Sequence, residues 1–322
     1  MAEPAPLSAI ADLIVRIGRI AVFIAIGVFL ANVAVEFGLV ERIAALSKYL
    51  TRPANLPNEV GTAILTTAAS TTAGYGMLAE FRDSGMLDDR ATLVAVTINT
   101  FFGFVQHILT YYAPVLIPIL GLRVGLLYVG ARAGISLGIT LVGILAGALL
   151  LSERNVDYDA VPDGVTDPET ETTTHREKVT NAGERAAGKL RDIIPRLAVI
   201  YTLVVVLTTY YDITQLTAGA DPLATVVGLP VAAVPIIAVF AVDTTSGALA
   251  IAPLVPGTFT PEQAVATMLI GGIVSFAIST FKRSIPFQYG IWGPAFGSKV
   301  IAVNTTLKVV FIGAAVVIVL GL

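Results

Sequence analysis

Long apolar runs, separated by short polar stretches, extend through almost the whole chain. Such runs approach or reach the roughly 20 residues that a helix needs to cross about 30 Å of hydrocarbon. Before two of the later runs, proline and glycine interrupt the pattern, so residues 111–125 and 282–297 are expected to form broken segments. The pattern predicts membrane-spanning helices at residues 13–38 and 91–110, a long helix that ends at Leu151, and further helices at 193–211, 263–281 and 298–321.

Residues 57–81 and 230–254 are apolar stretches that a polar cluster divides into pieces too short to cross a bilayer. The clusters are Ser-Thr-Thr-Ala-Gly from Ser70 and Asp-Thr-Thr-Ser-Gly from Asp243. Glycine and hydroxyl side chains suit an irregular turn at membrane depth, because they free the backbone and satisfy its polar groups. Each stretch is therefore predicted to form a re-entrant helical hairpin, preceded by a short interfacial piece at residues 41–50 or 222–228.

The two hairpins mark an internal repeat. Leu56-Pro57 and the cluster that begins at Ser70 both recur 173 residues later, at Leu229-Pro230 and at Asp243. Three spanning helices per repeat are an odd number, so the second repeat is expected to be inverted relative to the first. In the alternative, residues 113–129 also span and the repeats run parallel. The predicted fold is an all-α membrane protein of two inverted-topology repeats, each with three spanning helices and a re-entrant helical hairpin.

Composition indicates the domain boundaries, and the distribution of charge indicates the topology. The chain is 55% hydrophobic and only 13% charged, which is too apolar for a soluble protein of this length. Residues 1–151 and 193–322 form the two transmembrane repeats, and the polar residues 152–192 form a linker between them. Most lysines and arginines fall on the linker side. The positive-inside rule therefore predicts a protein of the cell membrane with a cytoplasmic linker and both termini outside.

The residue inventory also excludes several kinds of function. The absence of cysteine excludes disulfides, thiolate metal sites and cysteine nucleophiles. A net charge of −3 argues against nucleic-acid binding. The sequence pairs no nucleophile with a base and contains no cluster of metal ligands, so we expect no enzymatic activity, no cofactor and no metal.

Asp243 is the first candidate for a binding site. Placing a carboxylate in an apolar hairpin costs free energy, so such residues usually serve a function. Two roles stay open for it: it accepts a cation, a proton or a ligand hydroxyl, or it caps the helix that follows. Its repeat partner is Ser70. The other hydroxyls at the two tips bind a solute or an ion, or bond only to their own backbone. They are Thr71, Thr72, Thr244, Thr245 and Ser246.

The helix that follows the first hairpin supplies a second group of candidates, Asn99, Gln106 and His107. His107 either titrates in a proton-coupled cycle or is an interfacial residue beside two tyrosines. Lys282-Arg283 either neutralises an anionic ligand or marks the cytoplasmic boundary. Three more ionisable residues fall in apolar stretches and are interpreted as structural. They are Glu59, Arg132 and Lys308.

The order of elements, with Leu-Pro before each hairpin and Thr-Thr near each tip, resembles the Gate or nucleoside recognition domain. That domain occurs in archaeal nucleoside recognition membrane proteins, in spore maturation proteins and in the membrane part of ferrous iron transporter B. It is also similar to the core of concentrative nucleoside transporters. The resemblance covers nearly the whole chain outside the linker and the first dozen residues.

Two functions are consistent with these features. The first is a secondary transporter of a nucleoside-like or other small polar solute or ion, with its site between the two hairpin tips. The alternative is a non-transporting membrane subunit, for assembly or signalling, that keeps the Gate fold. The expected partners are the small polar solute, a nucleoside for example, a coupling cation or proton, the lipid bilayer and further copies of the chain in a homo-oligomer.

Overall fold

The computed structural model of the chain describes residues 6–36, 48–160, 175–210, 228–255, 257–280 and 284–322. These residues are largely helical and hold no strand beyond one isolated bridge between Leu87 and Val156, which confirms the all-α class. The predictions for residues 41–47, 222–227 and Lys282-Arg283 lie outside the described residues. The α-helices are α1 (Pro6–Glu36), α2 (Lys48–Thr51), α3 (Asn58–Ala69), α4 (Thr71–Asp83), α5 (Asp89–Ile98), α6 (Thr100–His107), α7 (Ile117–Leu120), α8 (Leu122–Leu150), α9 (His175–Tyr210), α10 (Ala233–Val242), α11 (Thr244–Ile251), α12 (Pro261–Ser279) and α13 (Ile285–Leu320).

Among the described residues, four helical stretches are long and apolar enough to cross a bilayer, as expected of a multi-pass membrane protein. They are Leu13–Leu30 within α1, Asp89–Leu120, α8 and α13. The surface of α8 suits contact with lipid, because its exposed leucines are four residues apart and form one stripe along the helix. These leucines are Leu137, Leu141, Leu145 and Leu149.

The helix after the first hairpin is longer than predicted. Instead of breaking at residue 111, the chain continues through a π-helical segment, Ile108–Leu116, and α7. Pro114 lies in this segment, and a proline both lacks the N–H that an α-helix needs and clashes with an earlier carbonyl group. The wider π-turn accommodates the proline without ending the helix. The break comes at Gly121, and in the second half of the chain a break comes at Gly293 inside α13.

The predicted boundary between the linker and the second repeat, at residues 192 and 193, falls inside one helix. The helix α9 runs without interruption from the polar part of the linker into the apolar run that follows it. Alanine, glutamate, lysine and arginine in the polar part are strong helix formers, so that part continues the helix.

The two hairpins have the same backbone geometry. The first hairpin is α3 and α4, joined at Ser70 in an extended conformation (φ −143°, ψ 108°). The second hairpin is α10 and α11, joined at Asp243 (φ −147°, ψ 120°). In each, the two helices pack closely at a glycine: a Cβ on Gly74 would clash with Thr67, and a Cβ on Gly247 would lie 2.5 Å from Phe240 Cα.

Positive backbone φ angles occur at matching positions outside the hairpins as well. Asn55 (φ 55°) precedes the first hairpin, and Gly228 (φ 67°), 173 residues later, precedes the second. Gly121 (φ 78°, ψ 162°) and Gly293 (φ 71°, ψ 165°), 172 residues apart, precede the last helical stretch of each half. The chain therefore turns in the same way at the same points of both halves.

Polar contacts show which helix ends lie together. At one end, Lys299 Nζ of α13 lies 2.8 Å from Asp89 Oδ2 at the start of α5. Asn155, just after α8, donates to Asp88 at 2.7 Å, so α8 ends where α5 begins. At the other end of α8, Arg123 lies 3.3 Å from Glu262 at the start of α12.

Candidate functional site

A polar cavity of about 230 Å³ lies where the first hairpin meets α6, α8 and α13. Both halves of the chain contribute to its wall, and no acidic residue is among its lining residues in the described part of the chain. The lining residues are Thr71, Tyr75, Asn99, Thr100, Gly103, Phe104, His107, Tyr112, Arg132, Ile135, Ser136, Ile139, Asn304 and Lys308.

Arg132 and Lys308 bring two positive charges to this cavity. Arg132 lies about 15 Å along α8 from its start and Lys308 about 22 Å beyond the break at Gly293, so each is well inside a spanning helix. Arg132 donates to Tyr112 OH at 3.3 Å, and Lys308 Nζ lies 5.6 Å from the Phe276 ring centre. Within the described residues neither cation forms an ion pair. Ionisable residues at this depth normally face a cavity or a partner and mark a site.

The two helices contribute equivalent positions to the cavity. Arg132 and Asn304 are 172 residues apart, and so are Ser136 and Lys308, the same separation as Gly121 and Gly293. Each helix therefore carries one cation and one neutral polar residue, four residues apart on one face, in opposite order. The cavity lies at the interface of the two halves, where repeat transporters place their sites.

Two asparagines on the cavity wall have side-chain atoms without partners. Asn99 is 1% exposed, and neither its amide nitrogen nor its amide oxygen has a hydrogen-bond partner among the described residues. The same holds for Asn304 Oδ1. Buried polar groups of this kind are costly unless something pairs with them. All three atoms are buried, so a ligand in the cavity would pair with them only after the side chains turn towards it.

Thr140 on α8 stabilises the break between α5 and α6 beside Asn99. Its hydroxyl donates to Ile98 O at 2.9 Å and accepts from Phe101 N–H at 3.2 Å. A threonine from a neighbouring helix thus satisfies backbone groups that the break frees, as membrane interiors require. Because Thr140 bonds these backbone groups, the Asn99 side chain is not needed for them, and it lines the cavity.

The tip of the first hairpin is fixed at the cavity by Gln106. Thr71 donates to Gln106 Oε1 at 2.7 Å, and Gln106 Nε2 donates to Ala69 O at 3.3 Å, so one amide holds both sides of the break at Ser70. Ser70 Oγ accepts from Ala73 N–H at 3.3 Å as the cap of α4. Tyr75, one turn further, packs edge-on against Phe287 with ring centres 5.6 Å apart.

The tip of the second hairpin is docked differently. Asp243 caps α11 by accepting from Ser246 N–H at 2.7 Å. Thr245 Oγ1 lies 2.9 Å from Tyr111 OH, in the π-helical segment of the first repeat. The second tip is thus bonded to the first repeat, and none of its residues lines the described cavity.

Three of the predicted site residues therefore line one cavity: Thr71, Asn99 and His107. His107 is exposed and its Nδ1 lies 3.0 Å from Gly103 O. The other predicted residues lie outside the lining, and a ligand role for them stays a prediction. They are Ser70, Thr72, Asp243, Thr244, Thr245 and Ser246.

The sequence interpretation missed the two cations. The interpretation of Arg132 and Lys308 as structural residues does not assign them to a site, yet both line the cavity. A signal for them was present in the sequence, because each lies in the middle of an apolar run and each aligns, at a separation of 172 residues, with a polar residue of the other repeat.

Comparison with known proteins finds similar chains of undetermined function. No family model matches the chain, and no solved structure matches it. The chain is 24% identical over 292 residues to the uncharacterized protein MJ0871 of Methanocaldococcus jannaschii, covering 90% of this chain and 88% of the relative. It is 24% identical over 303 residues to the uncharacterized protein MJ0880 of the same organism, covering 92% and 95%. The similarity therefore extends across both repeats.

Proposed function

We propose that the chain is a secondary transporter of the Gate type for a small solute, in which two inverted repeats alternate access to the polar cavity. The observation that carries this proposal is the cavity itself. Two cations and two partly unsatisfied asparagines from both halves line it near the middle of spanning helices. Polar groups are expensive at this depth and are kept where they line a solute pathway.

The inverted arrangement is supported by the contacts at the helix ends. Asp88, at the start of α5, bonds to Asn155 just beyond the end of α8, whereas Glu262, at the start of α12, pairs with Arg123 at the beginning of α8. Equivalent helices α5 and α12 therefore start at opposite ends of α8. This is the relation expected of repeats whose pseudo-two-fold axis lies in the membrane plane.

The orientation in the membrane is supported by the same contacts. The end of the molecule where α5 begins carries four basic residues: Arg82, Arg90, Arg154 and Lys299. The opposite end carries Arg123. The positive-inside rule places the richer end, with the linker, in the cytoplasm.

Tracer counterflow in proteoliposomes tests the transport proposal. Vesicles with the purified protein are loaded with unlabelled uridine, phosphate or succinate and then given a trace of the labelled compound outside. A transporter accumulates at least one label transiently, above protein-free vesicles, because exchange needs no energy source. Binding of a tracer without counterflow would contradict transport and would favour the non-transporting alternative.

A further inference from the structure

We propose that the cavity binds a small oxyanion, such as a carboxylate or phosphate, between Arg132 and Lys308. The two cations approach from different helices and different repeats, and no carboxylate is among the described lining residues to neutralise them. That this oxyanion is the transported solute rests on the proposed function. Binding of the oxyanion in the cavity can be measured whether or not the protein transports it.

The chemistry of the lining favours an anion over the other classes of solute. A cation would meet two like charges in a membrane interior, where charge repulsion is weakly screened. A neutral solute would leave both cations without a counter-charge, which is the most costly state for buried ionic groups. An oxyanion pairs with both, and the planar guanidinium of Arg132 matches two oxygens of a carboxylate or phosphate at once.

The neutral residues fit the same ligand. Asn99 lies on the cavity wall with an amide that has no partner among the described residues and that can donate to an oxygen once its side chain turns towards the ligand, and Thr100 adds a hydroxyl group. An Asn amide is also neutral, so it adds donors without attracting a competing cation. The cavity of about 230 Å³ is below the roughly 300 Å³ at which pockets for drug-sized ligands begin, so its volume suits a small anion.

A comparison of equivalent positions in the two halves supports a ligand-binding role for Arg132 and Lys308 rather than a role in helix packing. At the positions equivalent to Arg132 and Lys308, the other repeat has Asn304 and Ser136. The same helix positions therefore accommodate a short neutral side chain, and the fold does not depend on a cation there. Among the described residues, Arg132 has a hydroxyl partner and Lys308 an aromatic ring, so an anionic ligand would supply the counter-charge that both lack there.

Anion-dependent thermal stabilisation of the purified full chain tests the inference, because a ligand that binds the folded state raises its melting temperature. The probes are sodium phosphate and sodium succinate, compared with sodium chloride at equal ionic strength and with uridine. We expect saturable stabilisation by phosphate, by succinate or by both, and none by uridine. Stabilisation by uridine alone, or none beyond chloride, would overturn the oxyanion assignment.

Charge-removing variants with matched controls locate the effect. Arg132→Gln and Lys308→Gln should each weaken the apparent affinity at least about tenfold, equivalent to about 1.4 kcal/mol. Arg123→Gln on α8 and Lys299→Gln on α13 remove the same charges from the same helices outside the cavity, so both should respond like the wild type. Equal responses of all four variants would refute binding in the cavity.

A second variant keeps the inference testable if Arg132→Gln does not fold. Asn304→Asp changes little in size but places a carboxylate among the two cations, so it should abolish the anion response. The ligand-free melting temperature also distinguishes the roles. A ligand-binding Arg132 leaves that temperature unchanged or raised in Arg132→Gln, since an unpaired cation has been removed. A marked loss of ligand-free stability together with an unchanged anion response in Asn304→Asp would show that the cations are structural.

Discussion

The tip of the first hairpin and the tip of the second hairpin have the same backbone and different surroundings. Ser70 and Asp243 have nearly equal φ and ψ angles, and each caps the helix that follows it. The first tip, however, is held by Gln106 and reaches the cavity through Thr71, whereas the second is bonded to Tyr111 and stays outside the cavity lining.

The residues that form the two tips are alike, whereas the side chains around the two tips differ. A sharp turn between two packed helices requires an extended residue, a cap and a glycine, and both repeats supply these at the same positions. The side chains that line the cavity have no such constraint. They differ between the two halves of the chain, so two tips of matching backbone geometry have different surroundings.

The largest effect should come from the packing glycines of the two hairpins. Gly74→Ala would push a Cβ against Thr67 and to 2.6 Å from Ala63 O, and Gly247→Ala would push one to 2.5 Å from Phe240 Cα. Overpacking against backbone cannot relax easily, so we expect each variant to lose about 3 kcal/mol, seen as a lower melting temperature.

Gly76→Ala is the matched control, because it lies in α4 and a Cβ there has nothing within 4 Å. It should be neutral or slightly stabilising, since alanine favours a helix over glycine. A large loss at only one of Gly74 and Gly247 would mean that the two hairpins are not packed alike.

A smaller effect is expected at the matching breaks Gly121 and Gly293. Their φ and ψ angles lie in a region that only glycine occupies readily, while a Cβ at either would meet no atom within 4 Å. Alanine should therefore cost about 1–2 kcal/mol at each position, from backbone strain alone. Thermal unfolding of the two single variants measures this loss, and a variant that melts like the wild type would contradict the backbone strain expected at that break.

The smallest effect concerns the two caps. Asp243→Ala should cost about 1 kcal/mol, and Ser70→Ala about half as much because its capping bond is longer, 3.3 Å against 2.7 Å. Asparagine caps a helix about as well as aspartate, so Asp243→Asn should leave the melting temperature unchanged, and an unchanged anion response would mean that Asp243 is only a cap. A weakened response with an unchanged melting temperature would instead assign Asp243 to the ligand.

The hairpins were predictable from the sequence because a cap, a glycine and short apolar flanks specify a turn locally. Helix continuation through Pro114 was not predictable in this way. It depends on a distant part of the chain, since α1 packs so closely there that a Cβ on Gly27 would lie 2.9 Å from Pro114 O.

The cavity was only partly predictable for a related reason. Asn99 and His107 could be assigned from their place after the first hairpin, as polar residues on a spanning helix. The role of Arg132 and Lys308 depends on which faces of α8 and α13 meet, and a single apolar run does not specify the face that a neighbouring helix covers.

The central claim, that the cavity between the repeats is reached from both sides of the membrane, is tested most directly by one cysteine in this cysteine-free chain. Asn304→Cys places a thiol on the cavity wall, while Thr306→Cys, exposed on the same helix and outside this cavity, is the control. An impermeant, negatively charged thiol reagent is added to either side of oriented proteoliposomes. The account predicts that Asn304→Cys reacts from both sides and is protected by the stabilising oxyanion, with Thr306→Cys unprotected. Reaction of Asn304→Cys from one side only, or from neither, would contradict alternating access.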